Sequence, residues 1–154
     1  MEKIIIDDGT RKYTFENEQG EELGTLVFRP GDIDLIKRYR EKLSEFENIQ
    51  DMFSKISWNA DGTVDEASEI DDIDRAIGIM NQVQDLLKET MNYIFDADVY
   101  DSLFAKRNPF SSVGEKPFVE VAMKAIGGII GDSQKDQKAK TKNNVLNQTK
   151  GYTK

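Results

Sequence analysis

The sequence predicts a small α+β domain: an N-terminal three-stranded antiparallel β-meander packed on a mainly α-helical bundle, with a disordered C-terminal tail. Three observations carry this. Residues 3–29 alternate apolar and polar side chains, with turn residues between the runs, which is the period-two pattern of strands. Two longer segments, 33–56 and 63–95, repeat apolar residues every three or four positions and so place them on one helix face. Residues 132–154 are polar, rich in lysine and without either period.

In the meander, Ile4 and Ile6 point one way, and Asp7-Asp8-Gly9-Thr10 reads as a turn. Tyr13 and Phe15 then alternate with Lys12, Thr14 and Glu16, and Asn17 to Gly20 reads as the next turn. In the third strand Gly24, Leu26 and Phe28 share one face and Leu23, Thr25 and Val27 the other. Such a sheet needs helices against its apolar side. Pro30-Gly31 stops it, and Asp32 is placed to cap a helix over 33–56. Its stripe is Ile36, Tyr39, Leu43, Phe46, Ile49, Phe53 and Ile56, predicted to be buried against a second helix over 63–95. The stripe of that helix is Ile70, Ile73, Ile77, Met80, Val83, Leu87, Met91 and Ile94. Thr63 and Glu66 have the spacing of a capping box, and acidic residues crowd the first turns, where the helix dipole favours them.

The connection holds Asn59, Asp61, Gly62 and Asp65, a spacing close to the centre of a calcium-binding EF-hand loop. Aligned so, its first and twelfth ligand positions fall on Ser57 and Ser68, where an Asp and a bidentate Glu are required. The reading that accounts for every residue is an Asx/Gly turn, with no metal and no cofactor, and with Trp58 as a lid over the helix ends. Beyond Phe95, Asp98 is placed to cap a short helix over 99–105, which Pro109 keeps from continuing. Pro117 suits the first position of a last helix over 117–130, with Val119, Ala122, Met123, Ile126 and Ile130 as its stripe and Gly131 at its end. The expected division is one domain over 1–131 and a polar tail over 132–154.

Composition narrows the chemistry. There is no cysteine and no histidine among the 154 residues. Disulfides, zinc sites built on those ligands, and Ser-His or Cys-His nucleophiles are therefore excluded. Carboxylates are abundant, but they fall on predicted helix faces rather than in an apolar pocket that would raise a pKa, so a paired-carboxylate hydrolase is not expected. Residues 132–154 carry six Lys and two Asp, which leaves −12 for residues 1–131 of the total −8. An acidic body does not suit a phosphate backbone, so no nucleic-acid partner is expected. The most apolar window, 117–131, is too short to span a bilayer and contains Glu120 and Lys124, so no membrane partner is expected. The expectation is a soluble, cytoplasmic protein that binds other proteins.

Three stretches resemble a known family: GEELGTLVFRPGDIDLIKRY over 20–39, IFDADVYDSLFAKRNPF over 94–110, and PFVEVAMKAI over 117–126. Their order is similar to that in the small tail assembly chaperones of long-tailed phages and prophages of Gram-positive bacteria. Such proteins commonly carry Ile-Phe-Gly and Leu-Phe-Gly after the second long helix, and here Asp96 and Ala105 stand in place of those glycines. The resemblance implies a non-enzymatic protein of the bacterial host cytoplasm. It implies binding to the phage tape measure protein, help in gathering tail-tube subunits around it, and in many members a longer form made by ribosomal frameshifting. The alternative is a prophage or bacterial adaptor with the same fold and another partner. Tyr100, Leu103, Phe104, Pro109 and Phe110 place five apolar side chains in eleven residues outside the long helices. They either cap the bundle or form an exposed patch that binds the client and drives self-association.

Overall fold

The computed structural model describes the backbone of residues 1–66, 68–70 and 72–152, with side chains as far as Lys135. The chain is α+β, with two small antiparallel sheets of two strands each. It divides into two compact units, one of Met1–Ile33 with Ser102–Lys154 and one of Asp34–Asp101.

The first unit opens on a hairpin, not on a three-stranded meander. Strands β1 (Arg11–Glu16) and β2 (Glu22–Phe28) pair antiparallel, Arg11 opposite Phe28 and Tyr13 opposite Leu26. Residues 3–6, expected as the first strand, pair with nothing. Asp7 and Asp8 explain why. Their carboxylates accept the backbone N–H groups of Gly9 and Thr10, both at 3.0 Å, and Asp7 also takes the Arg11 guanidinium at 3.0 Å. These local bonds replace the backbone bonds that would close a hairpin with β1. The β1–β2 turn forms as expected. The Asn17 side-chain oxygen accepts from the N–H groups of Gln19 and Glu21, and Gly20 takes φ +81°.

Pairing shifts between Phe15 and Glu16: Phe15 faces Gly24, but Glu16 faces Glu22. Leu23 is the extra residue of a bulge, which breaks the alternation expected to place it with Thr25 and Val27. Leu26 and Phe28 are buried, with the Tyr13 ring 5.6 Å from that of Phe28. Gly24 lies against backbone, since a Cβ there would stand 2.1 Å from the Leu103 carbonyl oxygen.

A second hairpin, β3 (Ser112–Val113) with β4 (Lys116–Pro117), was not visible in the pattern because two-residue strands show no period. Gly114, at φ +64°, makes its tight loop. Pro117 ends β4 rather than starting a helix, and α5 begins at Phe118. The carbonyls of Ser111 and Pro109 accept the N–H groups of Phe118 and Val119, both at 2.7 Å, and so serve two otherwise unpaired donors at the helix start. The expected stripe holds, with Ala122 and Ile126 buried and Val119, Met123 and Ile130 partly so. Helix α5 runs Phe118–Tyr152, past the expected stop at Gly131, through a stretch of helix-compatible Lys, Gln and Ala with no proline. The backbone of the tail is thus helical as far as Tyr152, where a disordered segment was expected. The side chains of 136–154 and the backbone of 153–154 lie outside the described residues.

In the second unit the helix expected over 33–56 is two helices. Helix α1 spans Ile33–Glu41 and α2 spans Leu43–Ser54. At Lys42 the N–H bonds back three residues, to the Tyr39 carbonyl, and the Lys42 ammonium sits 4.7 Å from the centre of the Tyr93 ring. Tyr93 in turn donates its hydroxyl to the Glu41 carboxylate. No glycine or proline marks this break; the tertiary contacts to Tyr93 flank it on both sides. Leu35 is buried, whereas Ile36 and Tyr39 are exposed, so the expected stripe is out of phase over α1, and Leu43 at the start of α2 is exposed as well. Farther along, Ile49 and Ile56 are buried as expected.

Helix α3 spans Ile73–Phe95, with Asp72 as its N-cap in place of Thr63. Thr63 is held elsewhere: its carbonyl accepts from Asn59 N–H, and Trp58 and Val64 form an antiparallel bridge. The loop that follows is fixed by Ser68, whose hydroxyl donates to the Lys55 carbonyl at 3.0 Å and accepts from Ser57 N–H at 2.9 Å. A helix here would also have stacked Asp65 on Glu69 and Glu69 on Asp72, at like-charge spacings. Ile70 is buried with Ile56 and Ala76 as the expected stripe has it, but from the loop. Ile73 and Ile77 are exposed and Ala76 is buried in their place; from Val83 through Leu87, Met91 and Ile94 the predicted stripe is the buried one. Asp96 ends α3 in the left-handed conformation, at φ 50° and ψ 42°. Asn92 then organises the next turn. Its side-chain oxygen accepts from Val99 and Tyr100 N–H, the role expected of Asp98, and the short helix α4 spans only Tyr100–Leu103.

Candidate functional site

The five side chains singled out from the sequence do not form a surface patch. Leu103, Pro109 and Phe110 are buried, and Tyr100 and Phe104 are half-buried. Phe104 meets Phe118 edge-on, with ring centres 5.9 Å apart. Burial of its phenol, with Asp101 and Asp85 nearby, raises the Tyr100 pKa above its ordinary value. Of the two roles weighed for this cluster, filling the interior is the one its burial fits. The reason is the short α4 and the 106–111 loop, which fold the run inward. An aperiodic loop carries no pattern by which to foresee that.

Phe118 also lines a concavity that lies within the first unit. It is a groove of about 580 Å³. Phe15 and Leu23 supply the wall from the first hairpin, Val113 the wall from the second, and Phe118, Val121 and Ala125 the floor from α5. Each wall has a local cause. The bulge places Leu23 beside Phe15. The tight turn at Gly114 presents Val113. The spacing 118, 121, 125 sets three α5 side chains on one helix face, next to the buried pair Ala122 and Ile126. Arg107 lies on the rim and pairs with Glu21 at 3.2 Å, beside the Asn17 turn. The groove is therefore apolar inside and polar at its edge. Sequence reading missed it because its residues come from four separate stretches; the one local signal was Phe118, Val121 and Ala125 at helical spacing.

A second apolar surface runs over α1 to the start of α2, where Ile36, Tyr39 and Leu43 lie exposed. The first three residues of the expected core stripe are thus surface, whereas Ile49 and Ile56 of the same stripe are buried.

The loop with EF-hand-like spacing closes on itself. Asp61 accepts from both the N–H and the hydroxyl of Thr63, which lowers its pKa, and Gly62 N–H bonds to the Asn59 carbonyl. No group of three or more Asp or Glu side chains is arranged to hold a metal ion among the described residues. The other shifted groups also sit in surface contacts. Hydrogen bonds from Arg11 and Gly9 lower Asp7, and those from Thr10 lower Asp8. The bond to Asp101 raises Lys88, and the bond to Glu41 raises Tyr93. None lies in the groove. No helix among the described residues is long and apolar enough to cross a membrane.

Comparisons with protein-family models, curated proteins and solved structures return no match to this chain.

Proposed function

We propose that this chain is a non-enzymatic protein-binding module whose seat is the groove between the two hairpins and α5. The observation that carries the reading is the groove itself, with apolar walls and a polar rim. Its shape suits the apolar face of an amphipathic helix, and helix-in-groove recognition draws its affinity from such side chains. The likeness of residues 20–39, 94–110 and 117–126 to tail assembly chaperones supplies the candidate client, a phage tape measure protein, with tail-tube subunits as further partners. A tape measure protein is a long helical chain that needs cover until the tube closes around it, which fits a small acidic binder of this kind.

Val113 and Val121 line the groove yet are 49% and 39% exposed, so they can be changed without opening the core. Val113→Asp and Val121→Asp, co-expressed with a phage tape measure protein, are expected to lose the client on pull-down while melting like the parent. Retention of the client by both variants refutes the groove as its seat. Failure of the parent chain to hold a tape measure protein, with Val121→Asp abolishing capture of a different partner, leaves the groove in place and favours the adaptor reading.

A further inference from the structure

We propose that the segment Lys3–Ile6 is a strand held in reserve, which completes the first sheet of a second copy of this chain by pairing antiparallel with the outer edge of that copy's β1. The segment has the composition of a strand, three β-branched residues in a row, and the structure leaves it unused. Ile4, Ile5 and Ile6 are 87%, 95% and 77% exposed, and no backbone hydrogen bond joins them to the sheet. The acceptor is present in the same unit. β1 pairs with β2 on one side only, so its other side is an open edge, the usual template for strand addition.

One register satisfies every side chain. With Ile5 opposite Thr14, Ile4 falls opposite Phe15 and Ile6 opposite Tyr13, so both isoleucines extend the face on which Tyr13 and Phe15 are only half-buried. Lys3 then lies opposite Glu16 and Asp7 opposite Lys12, an opposite-charge pair at each end. A slip of one residue turns Ile4 and Ile6 toward Thr14 and Lys12 and leaves Ile5 opposite Tyr13 as the one apolar match instead of two. The bonds within Asp7–Arg11 hold the segment off its own β1, which leaves it to a neighbour. Two copies satisfy each other reciprocally, and the arrangement closes as a two-fold dimer with both outer edges covered. This inference shares Phe15 with the groove wall but needs no client, so its test reads out separately from the groove reading.

The absence of native cysteine allows a direct test. Residues directly opposite in an antiparallel pair lie at disulfide distance. The full chain carrying both Ile5→Cys and Thr14→Cys, oxidised in solution, is expected to give a covalent dimer whose linked peptides join position 5 of one chain to position 14 of another. A mixture of the two single variants, one of them isotopically labelled, is expected to give the same link between labelled and unlabelled chains. By light scattering the unmodified protein should have twice the chain mass. Ile4→Asp with Ile6→Asp should have the single-chain mass and still melt cooperatively, because both side chains are exposed in the free chain, with a midpoint lower only by what association adds to the parent. Closure of the double variant within one chain overturns the proposal, since the segment would then pair with its own β1. A single-chain mass for the unmodified protein, or a dimer that survives Ile4→Asp with Ile6→Asp, overturns it as well.

Discussion

Gly24→Ala tests the packing of the first unit at one atom. Gly24 sits mid-strand in β2, with Phe15 opposite. An added Cβ would meet the Leu103 carbonyl oxygen at 2.1 Å, and the Leu103 carbonyl carbon and Ser102 oxygen at 2.7 Å each. All three are backbone atoms, so no rotamer change relieves the overlap; hairpin and chain must part by about 1 Å in a close-packed interior. Overpacking of this kind costs about 1–3 kcal/mol, and the lost contacts of Leu26 and Leu103, both buried, place the change at the upper end. The gain from a stiffer unfolded chain offsets less than about 1 kcal/mol of that. A net loss of about 2–3 kcal/mol lowers the melting temperature by roughly 4–12 °C in a chain of this size. The control is Gly78→Ala, at an exposed position of α3 with nothing within 4 Å of the added Cβ, which should stabilise by about 1 kcal/mol through helix propensity. Thermal and urea melts of both variants measure the difference. A Gly24→Ala protein as stable as the parent would refute the close approach of β2 to Ser102–Leu103.

Leu43→Asp should cost no more than about 1 kcal/mol in a urea melt, because Leu43 is 42% exposed, whereas Leu87→Ala, at 1% exposure, should cost about 3 kcal/mol. Asp96→Gly should raise the unfolding free energy by about 0.5–1 kcal/mol, since glycine takes the left-handed conformation of Asp96 without a Cβ penalty; a loss would show that the Asp96 side chain matters more than its backbone. The turn at 7–11 should loosen in acid. The carboxyls of Asp7 and Asp8 are held below their ordinary range, so their contribution is full above that range and is lost as pH falls through the lowered values. Amide shifts of Gly9 and Thr10 followed by NMR should move there, and an unmoved pair would place the hydrogen bonds elsewhere.

Much of this architecture was legible from residue order. Alternation in RKYTFE and ELGTLVF, with Asn17 and Gly20 between them, is enough for the β1–β2 hairpin, because pleat and turn chemistry act over a few residues. The stripe from Val83 to Ile94 and the pair Ala122 and Ile126 were readable because helix period and burial agree there. The α+β class follows from these pieces alone. Tertiary structure decided the rest. Ile36 and Leu35 are neighbours of equal hydrophobicity, and only the docking of α1 determines that Leu35 is buried and Ile36 exposed. The break at Lys42 has no breaker residue, and its flanking contacts come from a tyrosine fifty-one positions away. The start of α3 moved to Ile73 because Ser68 and Ile70 are tied to Lys55, a long-range bond set that a capping-box spacing cannot reveal. The groove needed a bulge, two hairpins and a helix face brought together. Period reports which side chains share a face; which face meets a neighbour depends on a free energy summed over residues far apart in the chain.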